Sequence, residues 1–150
     1  MLSYIFEESI GKLSQEVSKG LGMLLEKDFS ANGLKLKSRE WVVLAYLYHY
    51  EKVSQKDLIV PLGKDKVAIK RIIDDLEKKK WVKRVSSKMD KRFNYIHLTQ
   101  IGKDIYKQLV PLVESSMQKA LGNIDADELK ICLKVMLSIN SNIKMHLPAE

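Results

Sequence analysis

The amino-acid sequence predicts a mainly α-helical protein with a single β-hairpin. Over most of the chain, apolar residues recur every three or four positions, which places them on one face of a helix. Between about residues 82 and 98 they alternate with polar residues instead, which is the period of a strand. The chain has 150 residues and is 45% hydrophobic, so we expect one domain, residues 1–150, with a buried core.

Two helices are predicted before residue 51. The first covers residues 2 to 28 and carries an apolar stripe: Phe6, Ile10, Leu13, Val17, Leu21 and Leu24. The segment Ser30-Ala31-Asn32-Gly33 has the composition of a break. The second helix begins near Ser38, whose hydroxyl suits a helix N-terminus, and ends near Tyr50. Its predicted buried side is Trp41, Leu44, Ala45, Leu47 and Tyr48.

A short helix, a turn and a longer helix follow. Ser54 and Asp57 have the spacing of a capping pair at the start of the short helix. We expect Pro61 to end this helix, because proline lacks the N–H for an intrahelical hydrogen bond. The longer helix is predicted over residues 65 to about 80. Its buried face has clean helical spacing: Ile69, Ile72, Ile73 and Leu76.

The hairpin is predicted from two alternating segments, residues 82–85 and 95–98. The stretch between them, Ser86 to Asn94, is polar and basic, which is typical of a long hairpin tip. Thr99 then begins a fifth helix and caps it with its hydroxyl. Gly122 ends that helix.

A sixth helix is predicted after Asp125, which has capping-box spacing to Glu128. Its apolar residues are Leu129, Leu133, Met136, Leu137, Ile139 and Ile143. Cys132 lies among them and is expected to be a small buried hydrophobe rather than a redox sensor. A single cysteine forms neither an internal disulfide nor a cysteine metal cluster, and no cofactor is predicted.

The positive charge of the chain is concentrated in its middle third. Residues 51–95 hold 14 of the 26 lysines and arginines but 7 of the 19 acidic residues. That segment therefore carries the whole formal net charge of +7, and the rest of the chain is balanced. A local excess of this kind favours a polyanionic partner such as nucleic acid.

These elements form, in order, a winged helix-turn-helix. An α-helix fits the DNA major groove, so the first turns of the longer helix are placed to meet base edges. Serine and glutamine side chains at the start of the short helix are suited to hold phosphates. An arginine at the hairpin tip suits the narrow, electronegative minor groove.

The chain resembles the MarR family of regulators over nearly its whole length. The matching stretches are residues 54–58, 62–66, 71–79, the tip Asp90-Lys91-Arg92 and the segment Leu98-Thr99-Gln100-Ile101-Gly102. The tip followed six residues later by Leu-Thr-x-x-Gly is the most specific part. The resemblance implies a homodimer built from residues 1–30 and 99–150, with residues 36–98 as the winged DNA-binding region. It also implies a pseudo-palindromic operator in duplex DNA, a probable repressor role and a cytoplasmic location.

The resemblance assigns roles to particular residues. Base reading falls to the start of the longer helix, and the minor-groove role falls to Arg92, with Asp90 bracing it. The full predicted DNA-binding set is Ser54, Gln55, Lys56, Lys66, Val67, Ala68, Lys70, Arg71, Lys88, Asp90, Lys91 and Arg92.

Three positions depart from the family pattern. Val67 and Ala68 stand where serine and threonine are usual, so contact with thymine methyl groups is expected there instead of hydrogen bonding. Lys80 stands where glycine is usual before the wing, so we expect the helix end to extend or to be strained.

The resemblance further implies a small aromatic or amphipathic effector, bound between the dimer helices and the winged region. Trp41, Tyr46 and Tyr48 are candidates to line such a cleft. Packing in the core is the competing interpretation, because aromatic residues at helical spacing are normally buried.

Other classes of function are less well supported. The chain shows no nucleophile motif, phosphate loop or metal-ligand spacing, which argues against an enzyme. No apolar run is long enough to span a bilayer, and the acidic start does not resemble a signal peptide. A winged helix that contacts only protein is the main alternative, since fold does not fix function.

Overall fold

A computed structural model describes residues 5–147 and confirms the mainly α-helical fold with one hairpin. The helices are α1 (Ile10–Ala31), α2 (Ser38–His49), α3 (Ile59–Leu62), α4 (Lys66–Lys78), α5 (Gln100–Leu121) and α6 (Ala126–His146). The strands are β1 (Val82–Ser86) and β2 (Asn94–Leu98), and short 3-10 helices cover Phe6–Glu8 and Lys56–Leu58. The chain divides into two compact units, Met1–Met117 and Gln118–Glu150.

The start of the first helix was predicted too early. α1 begins at Ile10, where the Ser9 side chain accepts a hydrogen bond from the Lys12 backbone N–H at 3.3 Å. Before it, Phe6–Glu8 forms a separate 3-10 turn because Ser9 has an extended backbone that interrupts the helix. The predicted positions 2–4 lie outside the described residues. Apolar spacing alone therefore did not show the break at Ser9.

Helix α2 begins at Ser38 as predicted, but a different residue caps it. The Glu40 carboxylate accepts the backbone N–H of Lys37 at 2.8 Å. Ser38 instead donates its N–H and hydroxyl to Glu26 of α1, at 3.0 and 3.2 Å. The prediction that Tyr48 is buried was wrong, since it is 42% exposed near the end of the helix.

The Ser54–Asp57 pair forms as predicted, with the Ser54 N–H 2.8 Å from the Asp57 carboxylate, but a 3-10 turn follows it and the α-helix begins later than predicted. The prediction that Pro61 ends it was wrong, because α3 continues through Leu62. α3 begins at Ile59, so Pro61 lies in its first turn, where an N–H has no intrahelical acceptor to lose. Gly63 makes the turn, with a left-handed φ of 57° that glycine adopts without strain.

Helix α4 buries its predicted face, Ile69, Ile72, Ile73 and Leu76, in the core of the first unit. Its N-cap is Asp65, whose carboxylate accepts the Ala68 N–H at 2.8 Å. The helix ends at Lys78, two residues earlier than predicted. Lys80 follows with a φ of 60°, a left-handed conformation that strains a residue with a Cβ.

Strands β1 and β2 pair antiparallel, with Val82 opposite Leu98 and Ser86 opposite Asn94. The inner face of this hairpin adds Val82, Ile96 and Leu98 to the core. Val53 joins the edge through a bridge to Ile96. The hairpin base is therefore anchored in the core.

Helix α5 begins against the end of α4. The Thr99 hydroxyl accepts the Gly102 N–H at 3.0 Å, as predicted, and lies 2.6 Å from the Lys80 carbonyl, to which it donates. Gly102 packs so closely on this turn that a Cβ there would lie 2.0 Å from the Trp81 carbonyl oxygen. The start of α5 is therefore fixed to the junction between α4 and the wing.

In the second unit, α6 follows an Asp125 cap that accepts the N–H groups of Asp127 and Glu128. None of its described residues is buried, and Cys132 is exposed. The expectation that Cys132 is buried was therefore wrong for the single chain, because its helix face has no cover there. None of the helices described within residues 5–147 is long and apolar enough to cross a membrane.

Candidate nucleic-acid interface

The first two turns of α4 present an exposed edge opposite the buried isoleucines. Lys66, Lys70 and Arg71 are exposed, and Val67 is 61% exposed. Ala68 is half-buried, and its backbone N–H donates to the Asp65 side chain that caps the helix. This edge joins three cations to a small apolar surface, which matches phosphates together with base edges or thymine methyl groups.

The cations of this edge differ in their partners. Lys70 Nζ donates to Asp74 at 2.8 Å, one turn further along the helix. Among the described residues, Arg71 forms no ion pair. The guanidinium of Arg71 is thus free for a bidentate contact, whereas Lys70 shares its charge with Asp74.

The tip of the wing presents Arg92. Its Nε and Nη2 donate to the Asp90 carboxylate at 3.1 and 2.9 Å, and the side chain is still 88% exposed. The Arg92 hydrogen bonds hold the pKa of Asp90 below its ordinary value. Asp90 therefore braces an arginine that points into solvent, beside the exposed Lys88 and Lys91.

Hydrogen bonds within the tip fix its shape. The Ser87 N–H donates to the Phe93 carbonyl at 2.8 Å, and the Phe93 N–H donates to the Asp90 carbonyl at 3.0 Å. The Ser87 hydroxyl accepts the Met89 N–H at 3.2 Å. Arg92 is consequently carried on a closed turn, which lowers the entropy cost of placing it in a groove.

Arg84 joins the wing to the helix-turn-helix. Its guanidinium donates to Asp74 at 2.8 Å, to Glu77 and to the Gln55 amide oxygen at 2.9 and 3.1 Å. The Lys70 and Arg84 hydrogen bonds together lower the pKa of Asp74. Sequence reasoning counted Arg84 only as a charge; its alternation with the buried Val82 was the available signal that it faces inward.

The start of the short helix lies within the same network. Gln55 uses its amide oxygen for Arg84, so its amide N–H groups stay available as donors. Ser54 donates its hydroxyl to Asp57 at 2.7 Å, and Lys56 is exposed. Of the three, Lys56 and the Gln55 amide are the groups left to meet a phosphate.

The lysines at the end of α4 lie apart from this surface. Lys79 Nζ donates to the buried Glu40 at 2.6 Å and to the Lys35 carbonyl at 3.1 Å. It also lies 4.9 Å from the centre of the Trp81 ring. Lys79 therefore fastens the end of α4 to the start of α2.

Two of the three aromatic candidates for an effector cleft share a partner, and the third lies apart. Trp41 and Tyr48 both stack on Tyr106 of α5, with ring centres 5.3 and 4.0 Å apart. Burial raises the pKa of Tyr106, whose hydroxyl lies 3.2 Å from His49 Nε2. Tyr46 contacts Tyr50 instead, at 4.5 Å.

Only Trp41 of the three candidates lines a cavity of about 450 Å³ between α1, α2, α3 and α5. Leu21, Val113 and Met117 supply its apolar wall. Tyr48 lines a different cavity beside the base of the wing. Trp41 and Tyr48 therefore line different cavities, whereas the sequence grouped them in one cleft.

Comparison with known proteins finds similarity to one family of regulators. Residues 33–92, which hold the helix-turn-helix, the first strand of the wing and its tip as far as Arg92, match the model of the MarR family. A helix-turn-helix transcriptional regulator of Bacillus subtilis, YdgJ, is 29% identical over 129 residues, covering 86% of this chain and 76% of the relative. From before α2 to the tip of the wing, the chain is therefore similar to MarR family regulators.

Solved MarR family structures extend this similarity to the fold. A variant of Escherichia coli MarR in complex with operator DNA has a TM-score of 0.77 and 27% identity, covering 91% of this chain and 99% of that one. BpsR of Bordetella bronchiseptica has a TM-score of 0.79 and 20% identity, covering 93% and 98%. This chain therefore has the winged-helix fold of MarR family transcriptional regulators.

Proposed function

We propose that this protein is a MarR family regulator, which binds a pseudo-palindromic operator in duplex DNA as a homodimer and represses transcription. The observation that carries the proposal is the pair of exposed basic elements, the first turns of α4 and the Arg92 tip, held together by Arg84. Rigid presentation of both elements suits simultaneous reading of a major and a minor groove. The structure of E. coli MarR with operator DNA supports this arrangement.

Within this proposal, α4 enters the major groove. Arg71 contacts a guanine edge, while Lys66 and Lys70 contact phosphates or nearby bases, and Val67 packs on a thymine methyl group. Lys56 and the Gln55 amide hold the DNA backbone from the start of the short helix, and Arg84 orients Gln55. Lys88, Lys91 and Arg92 occupy the neighbouring minor groove, with Asp90 setting the direction of Arg92.

Dimerisation through residues 1–30 and 99–150 is supported by exposed apolar side chains. On the first unit, Phe6, Ile10, Leu13 and Val17 are each at least 45% exposed. On the second unit, Leu133, Met136, Leu137 and Ile143 are each at least 44% exposed. Apolar surfaces of this extent on terminal helices favour a second copy of the chain, which a symmetric interface buries.

Release by a small aromatic or amphipathic molecule is part of the same proposal. BpsR is described as regulated in its DNA binding by 6-hydroxynicotinic acid. In this chain the cavity lined by Trp41 lies between helices of the proposed dimer region and the winged region. An apolar ring stacked there would alter the angle between the two regions.

Selection of bound sequences from random duplex DNA, followed by titration at several salt concentrations, tests the proposal. We expect a selected palindrome with half-sites about one helical turn, ~10 bp, apart. If each subunit contacts about four phosphates, the log–log slope against salt is near −7, at about −0.9 per phosphate. A slope near zero, with no selected sequence, would instead favour a winged helix that contacts protein.

A further inference from the structure

The tip of the wing carries an apolar side chain that the described part of the chain leaves uncovered. Met89 is 97% exposed, the highest value of any large apolar side chain within residues 5–147. It lies outside residues 1–30 and 99–150, so the dimer interface proposed above leaves it in water. Transfer of its apolar surface from water into a partner is favourable. Met89 is therefore placed to contribute to a contact that the apolar terminal helices do not make.

Hydrogen bonds hold the backbone of Met89 in place without using its side chain. The Ser87 hydroxyl accepts the N–H of Met89 at 3.2 Å and that of Asp90 at 3.4 Å. The Asp90 carboxylate accepts the Arg92 backbone N–H at 3.0 Å and also the Arg92 guanidinium. One closed turn therefore presents both the exposed methionine and the exposed arginine.

Cations flank Met89 on both sides along the chain. Lys88 precedes it, Lys91 and Arg92 follow it, and all three are exposed. Asp90 is the only carboxylate between Ser86 and Asn94, and it is occupied by Arg92. Cations around an uncharged, flexible side chain are complementary to a groove with phosphates along its edges and stacked bases between them. This complementarity favours DNA as the partner of Met89.

We propose that Met89 enters the minor groove beside Arg92 and inserts between two base pairs, so that the operator bends at each wing. An inserted apolar side chain partly unstacks a base step and kinks the duplex toward the major groove. The cost of unstacking is lowest at the flexible pyrimidine–purine steps, TA and CA/TG. Met89 thus adds a sequence preference in each flank without forming a hydrogen bond to a base edge. This role rests on the proposed function, in which the wing occupies the minor groove.

Operator duplexes with 2-aminopurine at successive flank positions test this inference, because the fluorescence of that base rises when it is unstacked. We expect the wild type to raise the fluorescence at one step in each flank. We also expect it to bend the duplex, as measured by energy transfer between dyes on the two DNA ends. Met89→Ala should lose both effects and bind a TA-containing operator about five- to tenfold more weakly, the scale of partial burial of one methionine. Met89→Leu keeps an apolar side chain and should retain both effects.

Two comparisons separate insertion from a charge contact and from misfolding. Met89→Ala removes no charge and changes an exposed position, so its salt dependence of binding and its melting temperature should match those of the wild type. Val85→Thr makes another exposed apolar residue of the wing polar, away from the tip. It is the matched control and should keep the bend and the fluorescence change.

The outcomes distinguish this inference from the proposed function. If the wild type bound the selected operator without bending it or raising the fluorescence, the insertion of Met89 would be wrong and the proposed function would stand. The same conclusion would follow if Met89→Ala bent and bound the operator like the wild type. Failure of the wild type to select any DNA sequence would overturn the proposed function, and the role of Met89 with it.

Discussion

Arg84 of β1 binds Asp74 of α4, with Nη2 and Oδ1 2.8 Å apart. Asp74 also binds Lys70 on the exposed edge of the same helix, at 2.8 Å. One carboxylate therefore connects the wing to the exposed edge of α4. The relative placement of the two proposed DNA-contacting elements depends on this connection as much as on the apolar core beneath it.

Removing the Arg84 guanidinium is expected to weaken both the fold and DNA binding. Arg84→Met leaves Asp74 and Glu77 without their half-buried partner, so we expect the melting temperature to fall by about 5 °C. Operator affinity should fall further than this loss of stability explains, because the wing is no longer held against α4. Lys83→Met, on the exposed face of the same strand, is the control. An Arg84 variant that melts and binds like the wild type would show that the connection has no role.

Stability should decrease in acid partly through Asp74. Lys70 and Arg84 hold its folded-state pKa below the ordinary value of 3.8. The stability that ionised Asp74 contributes is therefore fully present above that value, and it is lost as the pH falls through the lower folded-state pKa. In the Asp74→Asn variant, the melting temperature should fall less between pH 5 and pH 2 than it does in the wild type. Asp75→Asn is the control for the loss of one carboxylate. Parallel curves for the wild type and Asp74→Asn would contradict this.

The wing and the helix should contribute to DNA binding in different ways. Arg92→Ala is expected to preserve the melting temperature, because the side chain is 88% exposed, and to weaken binding to all duplexes, most at A·T-rich flanks. Arg71→Ala should cost ~1–3 kcal/mol of operator binding and relax the preference at one position in each half-site.

Titration against the selected operator and a scrambled duplex distinguishes these two variants. Lys107→Ala, an exposed α5 cation outside the proposed surface, controls for net charge. If the Arg92→Ala variant bound the operator as tightly as the wild type does, the assignment of the wing to the DNA interface would be wrong.

Gly102 is expected to tolerate no side chain. A Cβ there would lie 2.0 Å from the Trp81 carbonyl oxygen, so one of the two backbone segments would have to shift. Gly102→Ala should lower the free energy of unfolding by about 3 kcal/mol in denaturant titration. Gly20→Ala is the matched control, because its Cβ meets nothing within 4 Å; helix propensity should make it about 0.5–1 kcal/mol more stable. Equal effects at both positions would rule out the close approach as the cause.

Lys80→Gly should stabilise the protein. The φ of 60° at Lys80 is a conformation that costs a residue with a Cβ about 1 kcal/mol and costs glycine little. We expect an increase of about 0.5–1 kcal/mol in the free energy of unfolding. Lys78→Gly, in the last helical turn, should lower it by about 1 kcal/mol instead. A fall for both variants would mean that the left-handed position is not strained.

The sequence by itself determined the features that depend on neighbouring residues. The buried face of α4 follows from the spacing of its isoleucines, and the Asp65 and Thr99 caps follow from side chains that reach a backbone N–H three residues away. The change of period from helix to strand placed the hairpin to within one residue at each end. These interactions join residues that are close in the sequence, so the pattern along the chain is nearly sufficient to predict them.

Only the tertiary structure decided which distant side chains meet. Arg84 reaches Gln55 across 29 positions, and Lys79 reaches Glu40 across 39, because the packing of the helices brings their ends together. The exposure of Tyr48 and Cys132 likewise depends on what covers a helix face, which periodicity along that helix does not specify. Periodicity fixes the face on which a residue lies, whereas its partner is fixed by the angles and distances between elements.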